Sequence, residues 1–203
     1  MDLIAAVQDS FDRALLERQA VEERFQVDVF LGDVSWETSY SLPGEDQPPR
    51  VRVDLSIDWP TWSQTAYRSW SMGETPAELP EAVVEVAMRI QRLAVAPSVE
   101  RVGAVLPATG PALGPEPLVR TAITVEEVRP DPAADRNDAE ALGPRWAVEG
   151  GYEGSIRLDE AQLEDPSSLA PVVDNLTRWV SSTLVRLADL PLSFLPPDPA
   201  DAP

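Results

Sequence analysis

The sequence predicts an α+β protein, an antiparallel sheet of about four to six strands packed by three helices in the order α-ββββ-α-ββ-α. Three features point there. Apolar and polar residues alternate strictly through PRVRVDLSIDWP, apolar residues recur at spacings of three and four in three other stretches, and Pro- and Gly-rich pieces separate these segments as reversals would.

The first helical stretch, residues 2–24, puts Ile4, Val7, Phe11, Ala14, Leu15 and Val21 on one face, with Asp2 suited to cap the first turn. From Phe25 the period changes to two. Val27, Val29 and Leu31 share one side of a strand, Trp36, Thr38, Tyr40 and Leu42 one side of the next, and Val51, Val53, Leu55, Ile57 and Trp59 one side of a third. Gly32-Asp33 and the piece 43–49 are the reversals, so these strands run antiparallel with one face buried and the other wet.

Pro60 follows, a residue that lacks the ladder N–H and suits a turn. The reading then places a fourth strand from Trp62 to Trp70, with Trp62, Ala66 and Trp70 on the core side and Tyr67 on the other. Segment 79–96 is read as the second helix, packed through Val83, Val86, Ala87, Ile90, Leu93 and Ala94 and ended by Pro97. Residues 97–117 read as a long surface connection with a short strand at 99–106.

Two further strands are expected at 118–128 and 145–158, joined by a polar, proline-bracketed loop, 130–144; Gly150, Gly151 and Gly154 suggest a bulge or bend in the second. The third helix spans about 167–190, lined by Leu169, Val172, Val173, Leu176, Trp179, Val180, Leu184 and Leu187, with Pro171 tolerated in its first turn. Residues 1–190 thus form one α+β domain, and 191–203 a Pro-rich tail expected to be disordered.

Composition narrows the chemistry. The 203-residue chain has no His and no Cys, and its Lys+Arg count of 16 is entirely arginine. Serine and cysteine triads, Schiff bases, phosphate-cradling P-loops, imidazole bases and zinc sites of the His or Cys type are all excluded by missing side chains. A formal charge of −19 disfavours nucleic acid and anionic membrane surfaces and favours a basic protein segment as partner. No apolar run is long enough to span a bilayer, and the acidic N-terminus does not read as a signal peptide, so the expected location is cytoplasmic.

The stretch DWPTWSQTAYRSW carries three of the six tryptophans. Its functional reading is a partner-binding patch made of Tyr67, Arg68, Trp62 and Trp70, anchored by aromatic side chains. Its competing reading is core: alternation puts Trp59, Trp62 and Trp70 inside and leaves Tyr67 and Arg68 at the rim. Glu81 and Glu85, four apart on the expected second helix, read as a solvated face; no catalytic residue, metal site or cofactor is expected.

The element order, the acidity and the late strand-plus-helix GSIRLDEAQLEDPSSLAPVVDNLTRWVSSTL resemble the type III secretion chaperone-like fold, including YbjN-like proteins of bacteria. The resemblance lies in topology and composition over about 2–190, departs from the family in its four-stranded first layer and long loops, and carries over no functional residue. It implies a non-enzymatic, chaperone-like, protein-binding molecule of bacterial type, working as a homodimer. The competing expectations are a carboxylate-based, glycoside-acting hydrolase, which needs two acids about 5–10 Å apart with one raised pKa, and a structural subunit of a larger assembly.

Overall fold

A computed structural model describes residues 13, 33–45, 48–128 and 145–196, and the backbone of 21–30. Its organising element is a seven-stranded, wholly antiparallel sheet in the order β1-β2-β3-β4-β7-β6-β5. The strands are β1 (Val21–Phe30), β2 (Asp33–Ser41), β3 (Val51–Trp59), β4 (Glu81–Leu93), β5 (Thr109–Ala112), β6 (Pro117–Val128) and β7 (Arg145–Arg157). Helix α1 (Thr61–Ser71) joins β3 to β4, α2 (Val99–Gly103) precedes β5, and α3 (Glu160–Glu164) with a 3₁₀ turn (Pro166–Leu169) leads into α4 (Ala170–Ala188). No described helix is long and apolar enough to cross a membrane.

The alternation in β3 sets the two faces. Val51, Val53, Leu55, Ile57 and Trp59 are buried while the residues between them are partly open. Register extends this face sideways, with Leu55 between Thr38 and Val86, and Val86 opposite Tyr152 of β7. Helix α4 covers it through Val173, Leu176, Val180, Leu184 and Leu187, and Trp179 meets Tyr152 edge to face at 4.9 Å. The helix packs on both β3 and β5. Those strands lie four positions apart, about 19 Å across the sheet, a span that the 19-residue helix, about 28 Å long, covers by running across the strands.

The expected order is corrected at two neighbouring segments, which exchange types. Residues 62–70 are helical, within α1, and 79–96 are not a helix: Glu81–Leu93 is a central strand of 13 residues, as long as its neighbour β7. Both errors have one cause. Trp62, Ala66 and Trp70 are four apart, a spacing that fits a strand of period two and a helix of period 3.6 equally. In 81–93 the helical set Val83, Val86, Ala87 and Ile90 competes with an alternating set, Ala82, Val84, Val86, Met88 and Ile90, and it is the alternating set that is buried. Filling the gap between β3 and β7 gives this segment two ladders of hydrogen bonds, which outweighs its helical preference.

Long-range contacts also fix α1. Pro60 at its N-cap has no capping side chain, and the Asp33 carboxylate, 28 residues earlier, accepts from the Thr61 N–H and hydroxyl at 2.5 and 2.7 Å. Four α-helices among the described residues replace the expected three, and residues 99–106 hold α2 in place of a short strand, with Ser98 accepting from the Arg101 N–H. The expected helix at 2–24 lies outside the described residues except for Arg13, which is helical, and 21–24, which belong to β1. The third helix, β6 and β7 stand where the sequence places them.

Beside the β7 glycines, the ladder irregularity falls in β6 between Arg120 and Ala122. Gly150 itself makes room for Leu106: a Cβ there would stand 2.4 Å from the leucine Cδ1. The loop 130–144 and residues 197–203 lie outside the described residues. Of the remaining tail, Phe194 bridges to Leu93, and the Leu195 N–H donates to the carbonyl of Arg92, which adopts a left-handed φ of 61° at the end of β4.

Candidate functional site

The partner-binding residues expected from sequence do not form one patch. On α1, Tyr67 and Trp70 turn inward: Tyr67 meets Trp59 edge to face at 6.0 Å and stacks on Trp70 at 5.8 Å, closing one end of the core. Trp59 is buried as expected, whereas Trp62, expected inside, is 42% exposed. Arg68 is exposed, but it sits six residues from Trp62, about 240° round the helix. The helical period therefore separates side chains that a strand would have gathered.

The orientation of α1 has a visible cause. Ser63 is fully buried; its hydroxyl donates to the Glu81 carbonyl at 2.7 Å and accepts from the Glu81 N–H at 2.8 Å. This reciprocal pair pins α1 to the start of β4 and leaves the Trp62 indole outside. Trp62, Leu79 (48% exposed), Glu78, Glu81 and Arg157 line an open pocket of about 440 Å³.

A larger depression of about 600 Å³ lies on the sheet face away from α4. Short residues at its centre, Ser39, Ser56, Ala87 and Gly151, leave the space, and charged residues surround it. Register arranges them in rows across the strands. Arg52 is opposite Arg89, which is opposite Glu149; in the next row but one, Glu37 is opposite Ser56, then Glu85, then Glu153.

The two rows differ in electrostatics. Arg52 pairs with Asp54 at 2.5 Å, Ser39 donates to the same carboxylate, and Arg89 holds Glu149, so this end is internally neutralised. At the opposite end Arg157 lies 3.6 Å from Glu81, which also accepts from Ser155. Glu37, Glu85 and Glu153 take part in none of these pairs, and all three are exposed. Burial, with the like charges of Asp58 and Glu153, raises the pKa of Glu85 above its ordinary value. Cross-strand like charges cost stability, so this row is held together by the sheet in spite of its charges.

Among the described residues no group of three or more acids is arranged to hold a metal ion. The depression is open to solvent, a surface suited to contact with another chain more than to enclosing a small substrate. Reading 79–96 as a helix hid this row. On a helix Glu81 and Glu85 are one turn apart, whereas on β4 they share a sheet face about 13 Å apart, and Glu153 stands beside Glu85. The available signal was the alternation of Ala82, Val84, Val86, Met88 and Ile90. Comparison of the chain with protein-family models, with curated proteins and with solved structures finds no match.

Proposed function

We propose that this chain is a non-enzymatic, chaperone-like binding protein of the bacterial cytoplasm that receives a basic segment of another protein on the open face of its sheet. One observation carries the reading: Glu37, Glu85 and Glu153 form an exposed row with Asp58 close to Glu85, and among the described residues Arg52, Arg89 and Arg157 of this face pair with other carboxylates. An arginine or lysine entering the row relieves repulsion already present, so binding is favoured by what destabilises the free protein. The absence of His, Cys and Lys from the sequence fits a role without catalysis.

The test is a titration of a fluorescein-labelled Arg-rich peptide against the wild type, against a Glu37→Gln/Glu85→Gln/Glu153→Gln variant, and against a control with Glu74, Glu100 and Glu160 changed to Gln. The row variant is expected to lose at least about tenfold in affinity while the control, with the same net charge, loses little. Equal losses in the two would mean that only overall charge is sensed, and the reading would fall.

The raised pKa of Glu85 beside Glu153 favours a second reading, a carboxylate-based hydrolase acting on glycosides. It requires turnover of a glycoside panel by the wild type and loss of that turnover in Glu85→Gln; no turnover by the wild type removes it.

A further inference from the structure

The pocket beside Trp62 and the acidic row share one sheet face. Glu81, Val83 and Glu85 alternate with the buried Ala82 and Val84, and Arg157 pairs with Glu81 across the strands as Glu153 pairs with Glu85. A track therefore runs along β4 and β7 from the mixed pocket that holds Trp62 and Leu79, through Val83 and Ser155, to the carboxylates. Its two ends are separated by four residues of strand, about 13 Å.

We infer that the partner is an extended segment with two features: an apolar side chain that seats between Trp62 and Leu79, and an arginine or lysine about four residues away that reaches Glu85 and Glu153. This rests on the proposed binding of a basic segment and specifies its form. Charge complementarity selects the basic residue, since among the described residues the arginines of this face pair with Asp54, Glu149 and Glu81 in place of Glu85 and Glu153, and Glu78 adds a further acid at the pocket. The apolar end is selected by the exposure of Trp62 and Leu79 in one pocket. The buried hydrogen bonds of Ser63 fix the backbone that carries Trp62, so binding at the indole need not order the helix, and a large aromatic side chain on a fixed backbone makes a good anchor.

Spacing decides the conformation of the ligand. An extended chain covers 13 Å in about four residues, whereas a helix needs about nine. Two subsites that far apart on an open face suit a chain better than a compact small molecule.

The experiment measures fluorescence anisotropy of labelled Ser/Gly-based peptides that carry an Arg-Arg pair and one leucine two, four or eight residues from it, in both chain directions, beside a leucine-free control. The four-residue spacing in one direction is expected to bind about tenfold more tightly than the control. Trp62→Ala and, independently, Leu79→Ser are expected to abolish that gain and to leave the leucine-free peptide unchanged. If basic peptides bind but leucine adds nothing, or if Trp62→Ala leaves its gain intact, the two-part ligand is refuted while the acidic-face reading stands. An optimum at eight residues refutes the extended form. If no basic peptide binds at all, the proposed function falls as well.

Discussion

Ser63→Ala tests how α1 is held against the sheet, and with it the setting of Trp62. The wild-type hydroxyl is fully buried and serves both backbone groups of Glu81 at 2.7 and 2.8 Å. Its removal leaves a buried N–H without this partner and deprives a carbonyl of one donor, while deleting too little volume to open a cavity. An unpaired buried donor costs about 1–3 kcal/mol and the second hydrogen bond about 1 kcal/mol, so the expected loss is about 3 kcal/mol. For a chain of this length that lowers Tm by about 6–12 °C. Urea melts followed by circular dichroism give the free energy, and calorimetry gives Tm. Thr65→Ala is the control: its hydroxyl donates to the Thr61 carbonyl on the exposed side of the same helix, and its loss should change stability by less than about 0.5 kcal/mol. Ser63→Ala matching that control, with an unchanged urea slope, would refute the claim that a buried reciprocal pair fixes α1.

Three further outcomes follow from local chemistry. Glu85→Gln should stabilise the protein by about 0.5 kcal/mol near pH 7 by removing a like charge beside Glu153. Because the folded pKa of Glu85 is raised, its penalty is present above that pKa and gone below the unfolded value, so the gap between variant and wild type should close as urea melts are repeated at falling pH. Glu45→Gln has the opposite sign. Burial opposes ionisation of Glu45, but hydrogen bonds from the Arg50 side chain and N–H and the Arg50 charge outweigh it and lower its pKa. The variant should lose about 1–2 kcal/mol at pH 7; the wild-type advantage holds above the unfolded carboxylate pKa and disappears as pH falls through the lowered folded one. Gly150→Ala should cost about 1 kcal/mol in a thermal melt, because the added methyl meets the end of the Leu106 side chain, which is 1% exposed and has to shift within the core.

The faces of β3, the extent of α4 and the exclusion of imidazole, thiol and amine chemistry were legible in the linear chain, since each depends on side-chain type or on a period repeated over many residues. What α1 and β4 would become was not. Trp62, Ala66 and Trp70 satisfy both periods, and Val86 and Ile90 belong to both the helical and the alternating set of their segment, so local preference leaves a near tie. Distant partners break it. Asp33 caps α1, Ser63 ties it to Glu81, and β3 and β7 supply β4 with a ladder on each side. The acidic row is a product of the same pairing. Glu37, Glu85 and Glu153 come from separate stretches of sequence, and register alone sets them in one row, Glu85 beside Glu153 and Glu37 beyond Ser56, because free energy shared among strands is not encoded in any one of them.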